Sequence, residues 1–401
     1  MISREIINYS LRNLRQKKFR SFLTIFSIFA GIVTIFIFIS FGAGLYQYVE
    51  ELSSSSSADK IMIMSKGGFS GLDLAFELTE DDLEKVSSTP GVYDATGVYI
   101  KAAEVGFNNQ KIYTFLIGYD PKEPIILDIS NVGIYNGREL KSSDGRNILL
   151  GYNYQIKDRI FSKPVKLNNN IEINGVDFKV VGFLDEIGSP PDDSQIYISE
   201  KYAKEFYNND DLPYSYILAS ADIDNMDRVV RDIERNLRKS RGLEEGKEDF
   251  FVQSFEDMME GFSTALNVII AFIILIALIS ILVSAINTAN TMITSVLERV
   301  KEIGLIKSVG GKNSEIFKIF LFESSFLGFV AGVLGVLVGW GLSALGGSIL
   351  NQLGYGFLSP YFPIELFAGC VLFAVLTGAV SGVIPAINAT KINPVEALRY
   401  E

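Results

Sequence analysis

The chain of 401 residues has no histidine and a single cysteine, Cys370. No disulfide can close within it, and Cys or His metal clusters, Ser-His-Asp and Cys-His catalysis, and histidine general-base chemistry are all excluded. A further absence is regional. No Lys, Arg, Asp or Glu occurs between Arg20 and Glu50, between Glu260 and Glu298, between Glu323 and Glu365, or between Glu365 and Lys391. A bilayer core about 30 Å thick needs roughly 20 apolar residues, so each gap can hold a spanning helix. The expected fold is an α-helical membrane protein with four transmembrane helices and a mixed α+β extracytoplasmic domain inserted between the first two.

The charge that is present is divided between regions. Residues 48–260 carry 23 Lys and Arg against 39 Asp and Glu, whereas the remainder carries 13 against 8. An acidic block on a basic membrane part speaks against nucleic acid as a partner, because phosphates demand a basic surface. Arg4, Arg12, Arg15, Lys17, Lys18 and Arg20 precede the first span, and Arg299, Lys301, Lys307, Lys312 and Lys318 follow the second. The loop between the third and fourth spans has no charge. By the positive-inside rule both termini are expected in the cytoplasm and the large domain outside the plasma membrane.

Along the chain, 1–20 reads as a cytoplasmic amphipathic helix with Ile6, Ile7, Leu11 and Leu14 on one side. The first span occupies 21–47; its apolar run is too long for a signal core and no A-x-A site follows, so it is read as uncleaved. The serine tract 53–57 reads as a flexible connector into the 48–260 domain. Within that domain, strands are expected at Lys60–Met64, Val98–Val105, Ile112–Gly118, Ile148–Leu150, Ile171–Ile173, Phe178–Leu184 and Tyr214–Ser220. Asn108-Asn109 reads as a hairpin turn, Thr79 as the N-cap of a helix to Val86, and Met226–Arg238 as a helix. Pro190-Pro191-Asp192-Asp193 reads as an exposed, solvated turn in preference to a calcium site.

The second span, 261–291, continues the helical spacing of Phe255, Met258, Met259 and Phe262, so one long helix is expected to join it to the domain as a stalk. A cytoplasmic coupling loop at 292–315, a third span at 316–350, a short outer loop at 351–363, a fourth span at 364–388 and a cytoplasmic tail at 389–401 complete the order. Gly328, Gly332, Gly335 and Gly339 in the third span and Gly378 and Gly382 in the fourth recur at helical spacing, which lets backbones pack closely. The polar side chains read within the spans, Asn267, Ser280, Ser284, Asn287, Asn290 and Thr377, include none that ionises. That speaks against an ion-coupled carrier.

After the second span, the charged residues Glu298, Arg299, Lys301 and Glu302 are followed by an apolar stripe of Ile303, Leu305, Ile306 and Val309, which suits a short amphipathic helix. The pattern E-R-x-x-E-I-G-x-x-x-x-x-G over Glu298–Gly310 resembles the cytoplasmic loop of MacB-type (MacB/FtsX-like) ABC transporter permeases. The ending P-A-x-x-A-x-x-x-x-P-x-x-A-L-R over Pro385–Arg399, with Pro394, Ala397, Leu398 and Arg399, is similar to that family's tail. Val180–Leu184 and Ile196–Ser199 agree with it as well. No G-x-x-x-x-G-K-[ST] phosphate loop is present, and Ile306–Lys312 has the wrong glycine spacing for one.

The resemblance implies a non-catalytic permease subunit lacking its own ATPase domain, binding no cofactor, with ATP and magnesium held by a separate ABC ATPase. It also implies a homodimer on two ATPase copies, in contact with membrane lipid and open to an extracytoplasmic adaptor or cargo protein. Glu298, Arg299, Glu302, Ile303, Gly304 and Gly310 would form the coupling element, and the long second helix would carry movement outward. The implied role is mechanotransmission in efflux of peptide, lipoprotein or hydrophobic compounds. The alternatives are an FtsX-like regulator of an extracytoplasmic enzyme and a membrane-anchored receptor.

Overall fold

A computed structural model of the chain describes residues 18–54, 58–66, 77–209 and 212–399. The amphipathic segment expected at 1–20 falls outside them except for the start of helix α1 (Lys18–Ser54), and 55–57 of the serine tract also lie outside. The chain forms two compact units, Tyr46–Thr264 with Leu350–Phe357 in one and the apolar helices in the other.

The first unit is built on strands β1 (Lys60–Ser65), β2 (Val92–Phe107), β3 (Gln110–Tyr119), β4 (Ile134–Gly137), β5 (Asn147–Leu150), β6 (Asn170–Ile173), β7 (Val176–Leu184), β8 (Ile196–Ser199), β9 (Tyr216–Ala221) and β10 (Phe250–Ser254). Among the described residues they form one sheet in the order β10-β1-β9-β2-β3-β8-β5-β7-β4, with β6 joining β2 and β7. Helices α2 (Glu80–Ser87), α3 (Ile125–Ile129), α4 (Glu200–Phe206) and α5 (Met226–Ser240) accompany the strands.

Strand alternation sends side chains to two separate cores, because successive residues point to opposite faces. Ile61, Ile63, Ile217 and Ala219 join Val229, Ile233 and Leu237 of α5 on one face. Met62 and Leu218 join Ile125, Ile126 and Leu127 of α3 on the other. Asn108 and Asn109 both have positive φ, 50° and 61°, which gives the two-residue turn between β2 and β3 the twist the strands need. Thr79 caps α2 in a reciprocal box with Asp82. Burial pulls the Asp82 carboxyl upward, but Arg241 at 2.7 Å and the Thr79 N–H outweigh it and hold it below the usual range.

One expectation is corrected. Asp193 is not in a solvated turn: it is fully buried, and its carboxylate accepts the N–H groups of Ile187 at 2.8 Å and Gly188 at 3.0 Å. It braces the loop after β7, and among the described residues no cluster of metal-ligating side chains forms there. Residues 350–357, at the start of the expected short outer loop, fold with the sheet domain. Arg159 donates to the Gln352 carbonyl at 3.2 Å, and Phe357 N–H to the Gly188 carbonyl at 3.3 Å.

The second unit contains α1 and three further long helices, α6 (Phe255–Glu298), α8 (Asn313–Gln352) and α9 (Ile364–Thr390), with the short α7 (Val300–Ser308) and α10 (Pro394–Arg399). Four of these are long and apolar enough to cross a membrane. α6 is unbroken over 44 residues, on the order of 66 Å if straight. The helices meet where side chains are smallest. A methyl on Gly328 would overlap the Ala374 carbonyl, and one on Gly378 the Ser324 carbonyl, so α8 and α9 touch backbone to backbone. Gly332 meets Ala374, Gly382 meets Ser324, and Gly335 and Gly339 face Ile32 and Phe36 of α1. Ser27 with Ser284 and Ser40 with Ser343, each 3.1 Å apart, add side-chain hydrogen bonds between helices.

Glu323, inside α8 and within the expected third span, is 5% exposed.

Candidate partner-docking site

The segment between α6 and α8 is built by three local devices. α6 stops at Glu298, and Arg299 leaves helical geometry with φ −109° and ψ 14° before α7 begins. α7 ends in a Schellman turn: Gly310 N–H donates to the Lys307 carbonyl at 3.1 Å and Gly311 N–H to the Ile306 carbonyl at 2.9 Å. Gly310 sits at φ +97°, a conformation that favours glycine. Downstream, Asn393 accepts the Val395 N–H at 3.1 Å and Pro394 starts α10, a favoured first helical position for proline.

α7 and α10 pack together. Gly304 opens the space: a methyl there would lie 2.6 Å from the Ala397 Cβ. Lys307 reaches from the end of α7 to the carbonyls of Thr390 at 2.6 Å and Ile392 at 2.9 Å, capping α9. Ile303 enters a core with Met292, Val296, Ile316, Phe320 and Ala386. Arg299, 5% exposed, donates from Nη1 to Glu323 at 3.1 Å and from Nε to Glu302 at 3.1 Å, and its guanidinium lies 5.0 Å from the Phe320 ring centroid.

The structure therefore divides the six residues expected to form the coupling element. Arg299, Ile303 and Gly304 are turned into the chain, while Glu298, Glu302 and Gly310 are exposed. The expected apolar stripe is divided too. At about 100° per residue, Leu305 lies on the far side of the helix from Ile303, Val309 follows it one turn later at the C-cap, and half-buried Ile306 falls between the two sides. Leu305 is 59% exposed and Val309 84%, and Val395 on α10 is 73% exposed. In the tail, Ala397 is buried against α7, Pro394 starts the final turn, and Leu398 and Arg399 close the helix.

Sequence reasoning missed Glu323 and Lys307 as parts of this element. Glu323 appeared only as the edge of an uncharged run, and Lys307 only as one more positive flank. The signal available for Glu323 was a lone carboxylate two turns inside an apolar helix, which calls for a partner.

The whole arrangement can seat a partner on an exposed face of mixed charge and aliphatic character, carried by a helix fastened at both ends. The profile of the MacB-like periplasmic core domain matches residues 21–236, and that of the FtsX-like permease C-terminal domain matches 274–394, which includes α7, α8 and α9. The chain is 30% identical over 399 residues to an ABC transporter permease of Methanocaldococcus jannaschii, covering 99% of this chain and 98% of that one. It is 27% identical to the macrolide export ATP-binding/permease protein MacB of Chlorobium phaeobacteroides, over 98% of this chain and 60% of that longer one. Among solved structures, the periplasmic region of MacB from Actinobacillus actinomycetemcomitans matches with a TM-score of 0.43 at 15% identity, over 51% of this chain and 93% of that one.

Proposed function

This chain belongs to the MacB-like, FtsX-related family of ABC transporter permeases, and from that premise we propose that it is the non-catalytic subunit through which a separate ATPase drives an extracytoplasmic domain. ATP and magnesium are bound by that partner, two copies of which sit under two copies of this chain. Both termini and α7 lie in the cytoplasm, a placement supported by the Lys and Arg residues around 291–318. The exposed apolar face of α6, including Phe272, Leu275, Leu282 and Val283, is left for lipid or the second copy.

The observation that carries the reading is the outward aliphatic pair on α7. Leu305 and Val309 are exposed one turn apart on a helix whose other side is packed and whose ends are tied down. An aliphatic face held so firmly toward water supports a docking surface. Glu298 and Glu302 supply the charged rim. α6 follows β10 without a break, and β10 is the hydrogen-bonded neighbour of β1, with Ile61 opposite Ser254. Movement of α6 is thus delivered to the end strand of the sheet. The cargo handled by that domain is peptide, lipoprotein or a hydrophobic compound, with or without an adaptor.

Co-expression with an ABC ATPase of the same organism tests the reading. The chain is expected to bind the ATPase and raise its ATP hydrolysis, and Glu302→Lys combined with Val309→Asp to weaken binding by about tenfold or more. A permease that neither binds nor stimulates the ATPase sinks it. Energy-dependent release of cargo from reconstituted vesicles separates export from regulation of an outside enzyme.

A further inference from the structure

Glu323 has no part in the docking surface, yet it is placed where a carboxylate is costly. It lies within the apolar helix α8, 5% exposed, and accepts from Arg299 Nη1 at 3.1 Å. Arg299 is equally buried and stands at the break between α6 and α7. Its Nε binds Glu302, whose side chain is 56% exposed. One guanidinium therefore joins an exposed carboxylate on the docking helix to a buried one inside the third membrane helix.

A buried charge without its partner is strongly unfavourable, so each member of such a pair constrains where the other can be. Arg299 cannot move with α7 unless Glu323 moves with it or the bond between them breaks. Face-on packing against Phe320, one turn before Glu323 on the same helix, restricts the guanidinium further. At the opposite end of α7, Lys307 donates to two backbone carbonyls at the end of α9. The docking helix is thus fastened to both α8 and α9.

We infer that Arg299 is a positioning residue: it holds α7 through Glu323, makes no contact with the ATPase, and passes displacement of the docking helix directly into the third membrane helix. This rests on the reading of α7 as the ATPase seat. It adds a route through α8, apart from the continuous helix α6.

Two measurements on the full chain in lipid nanodiscs test it, one with the ATPase and one without. In the permease alone, Glu323→Gln should speed amide hydrogen exchange over 300–308 by about tenfold or more, leaving the α9 amides unchanged. With the ATPase, the same variant should keep the dissociation constant within about threefold while stimulated ATP hydrolysis falls about tenfold. The charge-exchanged pair Arg299→Glu with Glu323→Arg should recover much of that stimulation, which either single exchange should not. Arg299→Lys, which keeps the charge but loses the forked geometry, should fall between wild type and Glu323→Gln.

Unchanged exchange over 300–308 in Glu323→Gln overturns the positioning role. Parallel loss of affinity and stimulation, or a loss that follows the fraction of unfolded protein, overturns the transmission role. If the wild-type chain fails to bind the ATPase, the docking reading falls, while the exchange experiment still decides whether Arg299 holds α7.

Discussion

In the sheet domain many of the fully buried side chains are large, among them Tyr99, Tyr119, Tyr154, Tyr214, Phe178 and Phe183, whereas in the helical unit α8 and α9 meet at Gly328, Gly378 and Gly382. The solvent accounts for the difference. Water drives apolar area out of contact with itself, so a domain folding in water gains most from its largest apolar groups. Between membrane helices lipid is as apolar as the side chains it would replace, and stability comes from close contact of surfaces, which small residues permit. Polar groups follow the same division. The sheet domain joins carboxylates and guanidinium groups freely, as where Arg241 holds Asp82 and Asp249 at 2.7 Å each. The described ion pairs of the helical unit centre on Arg299.

The comparison breaks first at a fully buried ring. Phe178→Ala should cost the sheet domain about 3–5 kcal/mol, read as a lowered midpoint in tyrosine near-ultraviolet circular dichroism. Trp340, the only tryptophan, lies in α8, and its fluorescence should keep the wild-type transition if the two units unfold separately. A shared shift of both signals would show that they do not.

A smaller effect, about 1–3 kcal/mol, is expected in the helical unit from Gly378→Ala, where the new methyl meets the Ser324 carbonyl. Gly369→Ala on the same helix is the matched control, because nothing lies within 4 Å of the added carbon. It should be neutral or slightly stabilising, since alanine favours the helix over glycine. Equal losses from the two variants would remove the packing argument.

Acid sharpens the contrast in the sheet domain. The Arg138 guanidinium, outweighing burial and aided by Asn147 and the Lys141 N–H, holds the Asp144 carboxyl at about 2. Its folded value lies below its unfolded one, so its contribution is present above about 3.9 and is lost as pH falls from there through about 2. Arg138→Ala should flatten that limb of the unfolding profile, and an unchanged limb would count against the pair. The smallest change, about 1 kcal/mol, is expected from Thr79→Ala, which removes one half of the capping box on α2. A denaturation midpoint identical to wild type would mean that water replaces the cap without cost.

Much of the fold was legible from residues acting locally. The hairpin at Asn108-Asn109, the cap at Thr79 and the stripe of Met226, Val229, Ile233 and Leu237 depend on neighbours within a few positions, and each forms where the pattern indicates. Asp193 was misread because a Pro-Pro-Asp-Asp run looks solvated. Its burial is decided by the amides of Ile187 and Gly188, which fold back onto it.

The docking element divides the same way. Its place between two apolar helices and its charged and apolar residues could be read directly, but which of them face outward could not. Arg299 and Glu302 stand three residues apart with opposite charges in the same short motif. One is buried and the other exposed because Glu323, 24 positions further along, arrives beside Arg299 only when α8 has packed.

The sequence by itself determined that this protein has four apolar helices and an acidic inserted domain, since membrane insertion depends on the length of uncharged chain, a local sum. Only the tertiary structure decided which charges of the cytoplasmic segment are available to a partner. Burial of a charge depends on whether its counter-charge is brought to meet it, and that is a property of packing between distant helices.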